Sequence, residues 1–595
     1  MTKLKMHTPD TTADNIERIA ELFPNCVVET TDEKGLGKRV IDFDQLRQEL
    51  SDRVVEGPRE RYHLDWPGKR EAQLTANAPI AKTLRPNRNE SIRFDLTKNL
   101  FIEGDNLDAL KLLQETYLNK VKLIYIDPPY NTGNDFVYDD DFSEDTQTFF
   151  RRSLQVDADG NRLLLNTDSS GRYHSAWLTM LYPRLKIARN LLRSDGVIFI
   201  SINDIEVPNV RKLCDELFGS ENFLGQIIWH SKKGGGGGVQ TLVTEHEYIV
   251  AYAKSDPDDA VGKLQVEALP LDLADEQGPY RKSRELNKWG AGSAREDRPT
   301  MYFPIPGPNG EDVYPIRNDG TEGRWRLGKR AMLKIVNEKN ALYEKRDDGS
   351  FIVYEKIRSA DVRFKSYRTI LSDAGSAAEG TARLKELFDG KSPFDYPKPV
   401  QLLHKLFDIG AVDDGDIVLD FYAGSGTTGD AVMDYATKSE CSLSFILVQL
   451  PQPIDGPYAT ISAVAKERLR RAGNDIKEKA GLNDENLDIG FRVLRVDSSN
   501  MKDVYYQPDA VSQANLAGLV DNVKDDRADE DLLFQVLLDW GVDLTLPMRL
   551  ETVTGKKVYF VDTNAVAACF EPGINEAFIK ELSKRRDPWG SCVVC

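Results

Sequence analysis

Asp127, Pro128, Pro129 and Tyr130 stand where an apolar run opens into a polar loop, in KVKLIYIDPPYNTGNDF over residues 120–136. A chance D-P-P-Y in a chain of this length has odds on the order of a few in a thousand, so the four residues are read as a motif. Two consecutive prolines fix the backbone and remove two N–H donors, which leaves carbonyl oxygens facing whatever sits beside them. Such a place accepts hydrogens. An exocyclic amine has two to give, one to the Asp127 carboxylate and one to the Pro128 carbonyl, and its nitrogen lone pair then points at an electrophile. Tyr130 offers a face on which a planar base stacks. The plainer reading is a strand-ending turn with a surface tyrosine.

A second stretch, DIVLDFYAGSGTTGDAVM, reads as a buried strand ending at Asp420, a glycine turn and a helix start. Tyr422, Gly424 and Gly426 line the turn, where glycine permits a tight path and close approach to a ligand. Thr427 and Thr428 are expected to cap a helix whose N–H groups attract an anionic end. A phosphate loop needs G-x-x-x-x-G-K-[ST], and Asp430 follows Gly429, so that reading fails. The dinucleotide fingerprint is loosely met by Gly424, Gly426 and Gly429, which leaves an NAD site open on this motif alone, beside an ordinary strand-to-helix turn. Taken together, an amine grip and a nucleoside cradle point to in-line methyl transfer. Positioning of two reactants, worth roughly 7–11 kcal/mol, supplies most of such a rate, and no metal is required.

The elements that must position these residues follow an α/β rhythm. NLFIEGD reads as a strand, Leu107, Leu110, Leu113 and Tyr117 mark one face of a helix, and VKLIYID is the next strand. HSAWLTMLYPRLKIARNLL has helical spacing, DGVIFISIND is a strand buried on both faces, and FLGQIIWHS with HEYIVAYAK reads as an antiparallel pair. The rhythm lapses at SDPDDAVGKLQVEALPLDLADEQGP and resumes near 395 with FDYPKPVQLLHKLF, DIVLDFYAGSGTTG and LSFILVQL. Residues 1–95 form a mostly helical, polar lead. The tail beyond about 480 is acidic and then β-like, and it stops at WGSCVVC in mid apolar run, which reads as a shortened C-terminus.

Composition is that of a globular protein, 40% hydrophobic and 29% charged, without an apolar run near membrane-spanning length or a secretory leader. Six scattered cysteines, of which only the closing C-x-x-C pair is close, are weak evidence for zinc and fit a reducing cytoplasm. The net charge of −18 argues against nucleic acid until its distribution is considered. Residues 281–370 carry 20 Lys+Arg against 13 Asp+Glu, a balance of +7 that leaves −25 on the rest. Charge segregated in this way fits one segment that meets a polyanion, and equally a solvated lysine-rich face.

With DPPY, the glycine turn, NIERIAELFPNCVVE, YHLDWPGK, KTLRP, NLFIEGDNLDALKLL, FDYPKP and LDFYAGSGTTGDAVM in hand, the chain resembles the amino-group DNA methyltransferases. More narrowly, it resembles the modification subunits of type III restriction-modification systems. In that group the catalytic motif precedes the cofactor motif, as here, where 297 residues separate Asp127 from Gly424. The resemblance implies a Rossmann-like α/β sheet using S-adenosyl-L-methionine, with an inserted target-recognition domain and helical or mixed extensions at both ends. It implies an N-terminal extension over 1–95, the catalytic half over 96–255, target recognition over 256–390, the cofactor half over 391–480 and a C-terminal domain over 481–595.

Carried over by position, Asp127, Pro128, Pro129 and Tyr130 are implied catalytic, and Asp420, Tyr422, Gly424, Gly426, Thr427 and Thr428 hold the cofactor. Tyr422 replaces the usual phenylalanine. Asp105 matches the acidic residue at the cofactor adenine, although an Asp before a helix is also an ordinary cap. Lys398 matches the residue at the methionine end, and Gln449 stands where related folds place an acid for the ribose. DPPY favours adenine N6, reached by turning the base out of the duplex, with cytosine N4 as the alternative. Lys232, Lys233, Arg281, Arg284, Arg295, Arg298, Arg324 and Arg326 are candidate DNA contacts, and the glycine run 234–238 is either a DNA-side loop or a linker. The resemblance further implies a homodimer, double-stranded DNA as partner and a separate helicase–nuclease restriction subunit. Methylation of RNA or of a protein glutamine, and a DNA-specificity module with a vestigial methylase site, are the competing readings.

Overall fold

The computed structural model describes residues 64–132, 171–232, 242–266, 270–358, 363–481, 487–502, 522–562 and 565–584, with short pieces elsewhere. It divides into two compact units, one comprising residues up to Gly262 and from Arg368 onward, the other Lys263–Tyr367.

The first unit is built on one ten-stranded sheet. In chain order its strands are β1 Lys82–Pro86, β2 Leu100–Glu103, β3 Val121–Ile126, β4 Leu192–Ile202, β5 Phe223–Trp229, β6 Glu247–Ala253, β7 Ile370–Leu371, β8 Ile417–Asp420, β9 Ser444–Gln449 and β10 Arg492–Ser498. They lie side by side as β7-β5-β6-β4-β3-β8-β9-β2-β10-β1. The six from β4 to β10 in that order run parallel, whereas β6 is antiparallel to β4 and β5, and β1 is antiparallel to β10. Every residue of β3 is buried, as a parallel strand covered on both faces requires.

Helices cover the sheet: α1 Lys69–Asn77, α2 Asn106–Tyr117, α3 Gly171–Leu191, α4 Val207–Phe218, α5 Ala377–Leu387, α6 Val400–Ile409, α7 Thr427–Ser439, α8 Ile461–Ala480 and α9 Asp529–Asp539. Leu107, Leu110, Leu113 and Tyr117 of α2 are all buried in the main core, as their spacing predicts. The chain leaves β3 toward β4 on one side and β8 toward β9 on the other. The sheet therefore has its switch point between β3 and β8, where the loops part.

The ends of the chain join this unit. The described part of the lead holds strand as well as helix, including the hairpin Val27–Thr31 with Gly37–Ile41 and the edge strand β1. Beyond 480, β10 enters the sheet, and α9 buries Leu533, Phe534 and Leu537 in the main core, with Phe534 6.1 Å from Phe94 between ring centres. A four-stranded sheet of Met548–Val553, Lys556–Val561, Val566–Ala568 and Cys592–Val594 closes the chain. Among the described residues no helix is long and apolar enough to cross a membrane.

The second unit has a four-stranded antiparallel sheet in the order Leu273–Asp275, Gly278–Glu285, Phe351–Ile357, Ala341–Lys345, with the helix Lys329–Asn337. Leu286, Phe303, Ile305, Val313, Trp325, Met332 and Val353 form its own core. The segment 368–390 lies with the first unit, since β7 pairs with β5.

Candidate active site

Strands β3 and β8 are hydrogen-bonded neighbours, with Leu123 opposite Val418 and Ile124 opposite Leu419. Because they run parallel, the loops that open at Asp127 and at Phe421 leave the sheet at the same edge. Lys398, two residues before α6, reaches this edge and donates to both oxygens of Asp127, at 2.8 and 2.7 Å. Its ammonium also donates to the Tyr130 hydroxyl at 3.0 Å and lies 3.5 Å from Glu247, the first residue of β6. The Tyr130 hydroxyl in turn donates to Glu247 at 2.8 Å, which fixes the direction in which the ring points.

Burial raises the Asp127 carboxyl above the ordinary carboxylate range, and the Lys398 ammonium only partly counters it. Burial alone would lower Lys398, but the facing Asp127 and Glu247 outweigh it and hold the ammonium above the usual lysine value. Burial, with Asp127 and Glu247 adding to it, also keeps the Tyr130 phenol protonated.

The loop is braced from residues without any local sequence signal. Trp177 of α3 donates its indole N–H to the Pro129 carbonyl at 2.8 Å, so one of the two carbonyls freed by the prolines has a partner. Pro128 O receives no donor among the described residues. Asn131 adopts a left-handed φ of 59° and donates its amide to the buried Glu206 at 2.6 Å, where His174 Nδ1 also lies 2.6 Å away. Sequence reasoning did not single out Trp177, Glu206 or Glu247, because each meets the motif from a distant segment.

The glycine turn is shaped from beneath. Asp420 accepts the Tyr422 N–H at 2.9 Å and the Thr428 hydroxyl at 2.5 Å, and burial pushes its carboxyl up to about 7. Gly424 and Gly426 have φ of 53° and 79°, the left-handed region glycine enters freely. Gln449 is buried, and its side-chain oxygen accepts the Gly424 N–H at 2.7 Å while its NH2 donates to Leu450 O at 3.1 Å. The amide thus holds the turn. Thr427 and Thr428 do not cap α7, contrary to the sequence expectation. Gly426, which has no side chain to offer, is the cap residue, while the Thr427 hydroxyl accepts from Arg468 at 2.6 Å and that of Thr428 goes to Asp420. Arg468 also forms a fully buried pair with Asp430 at 3.1 Å.

Asp105 stands at the end of β2, two strands from β8. It caps α2 by accepting Asp108 N–H at 3.0 Å, and its other oxygen accepts from Arg184 at 3.2 Å. The neighbouring Asn106 donates to Phe421 O at 2.9 Å, and Gly104 N–H donates to Gln449 O at 3.1 Å. Asp105, Asp127, Lys398, Tyr422, Gly424, Gly426 and Gln449 are thereby gathered along one edge of the sheet.

The candidate DNA contacts divide. Lys232 is exposed, and Lys233 with most of the glycine run lies outside the described residues. Within the second unit Arg281 is buried, Arg284 pairs with Glu355 at 2.7 Å, Arg295 pairs with Glu322 at 2.6 Å, and Arg324 donates to Gly292 O at 2.5 Å. Arg298 and Arg326 are exposed, and no side-chain partner reaches them among the described residues. Among those residues no group of three or more His, Cys, Asp or Glu could hold a metal ion.

The DNA methylase profile of the N6/N4 class matches residues 121–448, a span that takes in both loops. The Mod subunit of the type III restriction-modification enzyme EcoPI from Escherichia phage P1 is 34% identical over 515 residues, 78% of this chain and 78% of the relative. The EcoP15I Mod subunit of Escherichia coli is 32% identical over 524 residues, 79% of this chain and 78% of the relative. Among solved structures, the M1.HpyAVI–SAM complex covers 62% of this chain and 98% of its own at 13% identity, with a TM-score of 0.28. The chain belongs to the N6/N4 DNA methylase family, among the Mod subunits of type III restriction-modification enzymes, and is a DNA methyltransferase.

Proposed function

We propose that the protein methylates the N6 amino group of an adenine turned out of duplex DNA, at the edge shared by the Asp127 and Gly424 loops. The observation that carries this reading is the pairing of β3 with β8, which sets an amine grip beside a nucleoside cradle. Its methyl donor is S-adenosyl-L-methionine, and the residues on that edge fit such a molecule. Lys398 is an amine suited to an amino-acid carboxylate, Asp105 is an acceptor at the opposite end, and between them lie two left-handed glycines and a helix start that no side chain caps.

When bound, the cofactor supplies an electrophilic methyl group on a sulfonium. The chain's residues do the rest by positioning. Asp127 accepts one amino hydrogen and Pro128 O the other, which directs the N6 lone pair along the line of transfer. Tyr130, its ring held through Glu247, stacks on the base. Lys398 counters part of the rise that burial imposes on Asp127, and the carboxylate receives the proton that N6 releases after transfer. Base extrusion costs a few kcal/mol, which stacking and the two hydrogen bonds offset.

By the same likeness the chain acts as a homodimer in the cytoplasm, alongside a restriction subunit that carries helicase and nuclease. Incubation of the protein with duplex DNA, with tRNA and with labelled S-adenosyl-L-methionine tests the reading. N6-methyladenine in the duplex digest is expected, and N4-methylcytosine, or label in tRNA alone, would overturn it.

A further inference from the structure

The loop before α6 carries a residue that the transfer chemistry does not use. Tyr396 is 86% exposed, and its φ is 54°. A bulky side chain in the left-handed region is strained, and Pro397 directly after it narrows the conformations open to residue 396 further. The ring's own packing does not offset that strain, because the ring lies almost wholly in solvent.

The segments on either side are locked. Ser392 donates its hydroxyl to Phe394 O at 2.9 Å, and the Phe394 ring lies 3.5 Å from where a β-carbon on Gly424 would stand. Pro397 is buried with its carbonyl against Gly380, where no β-carbon would fit, and Lys398 holds Asp127. The loop thus ties the glycine turn to the amine grip and, between these two anchors, projects one aromatic ring.

We infer that Tyr396 is a base-stacking residue, whose ring packs on a nucleobase at the mouth of the methyl-transfer site when duplex DNA binds. The inference rests on the reading that this site takes an extruded base. One residue, Pro397, separates Tyr396 from the lysine that touches Asp127, so the two α-carbons are at most about 7 Å apart. An extruded base leaves a gap in the stack and exposes its own faces, and an aromatic ring satisfies either surface. The exposed neighbour Asp395 repels phosphate, which favours contact with a base over contact with the backbone. Strain held in an exposed aromatic beside a reaction site has the form of a functional constraint.

The test compares Tyr396→Gly, Tyr396→Asn and Tyr396→Phe in the full chain, using single-turnover methylation of a duplex and thermal unfolding. Glycine and asparagine relieve the strain, so both variants are expected to melt at or above the wild-type temperature while methylation falls roughly tenfold or more, given the strength of base–aromatic stacking. Phenylalanine keeps the ring and should stay within about twofold of wild type on the same ground. A duplex with 2-aminopurine at the target then locates the contact. Loss of its fluorescence rise in Tyr396→Gly places the ring in the vacated gap, whereas a normal rise with slow transfer places it on the extruded base. Wild-type methylation by Tyr396→Gly, or equal loss in the glycine and phenylalanine variants, overturns the inference. If the wild-type chain forms no N6-methyladenine, the functional reading fails and the inference falls with it; an active wild type with an equally active glycine variant sinks the inference alone.

Discussion

The Nζ of Lys398 lies 2.8 and 2.7 Å from the two carboxylate oxygens of Asp127. The lysine expected at the cofactor's methionine end therefore sits, in this state, on the carboxylate expected to hold the target amine. Its charge counters the burial that raises the Asp127 carboxyl. In Lys398→Met nothing comparable remains, so Asp127 rises further and is protonated over a wider span of pH. An amine acceptor must be ionised, so the acid limb of the single-turnover pH profile should move to higher pH. The rate at pH 7 should fall on the order of ten- to a hundredfold. An unmoved acid limb would show that Lys398 does not govern Asp127.

Asp420 gives a second pH effect, one of stability. Its folded-state carboxyl sits at about 7 because of burial, against about 3.9 in the unfolded chain. Between those values the folded state binds more protons than the unfolded one, so stability is fully present below about pH 4 and declines as pH rises through 7. Asp420→Asn removes that decline and keeps an acceptor for the Tyr422 N–H. Urea unfolding at pH 5 and pH 8 should show the variant gaining on wild type at the higher pH, by up to a few kcal/mol. A constant difference between the two proteins would contradict the assignment.

The strands were legible because parallel-sheet strands are apolar throughout, as in LIYI of β3 and FILV of β9, and because the glycine turn and the two prolines are local signals. The side-chain partners were not legible. Lys398 meets Asp127 across 271 positions of chain and Tyr130 meets Glu247 across 117, and no local pattern encodes such pairings. Gln449 shows the same limit: its place at a strand end could be read, but not that its amide turns back under Gly424. Likewise the two-residue strand β7 is too short to leave a periodic trace, and it falls inside the span 256–390 implied for target recognition, whereas the compact unit is Lys263–Tyr367.

Arg468 links the glycine turn to α8. It pairs with Asp430 where both side chains are fully buried, and it donates to Ser425 at 3.1 Å and Thr427 at 2.6 Å. Arg468→Ala leaves the Asp430 carboxylate with only the partly buried Arg383 at 3.1 Å. Removing one partner of a buried pair costs about 3–5 kcal/mol. Chemical denaturation should register a loss of that size. Arg468→Lys should recover part of it, since the ammonium restores the charge but not the forked contacts. A loss below about 1 kcal/mol, the range of an exposed pair, would show that the pair does not brace the turn.

The arginines of the second unit separate into those paired within the unit and those whose side chains are exposed and unpaired among the described residues. Arg284 and Arg295 are bound to Glu355 and Glu322, whereas Arg298 and Arg326 are exposed without a side-chain partner among the described residues. Arg326 also follows Trp325, whose ring is buried in the unit's core and whose N–H donates to Phe303 O at 2.8 Å, so its backbone is fixed while its side chain is not. A guanidinium presented in this way suits phosphate, which is neutralised with release of counterions. Arg298→Ala and Arg326→Ala should each weaken duplex binding and lower the slope of log affinity against log salt by about one, without a change in melting temperature. Arg284→Ala should leave that slope intact and shift stability by no more than about 1 kcal/mol. If one of the two exposed arginines reads a guanine edge instead, its loss should relax sequence preference by about 1–3 kcal/mol at a single base pair and not weaken all sequences alike. Titrations of the three variants against a cognate and a scrambled duplex at two salt concentrations separate these outcomes, and an equal effect of Arg284→Ala would remove the distinction between the two sets.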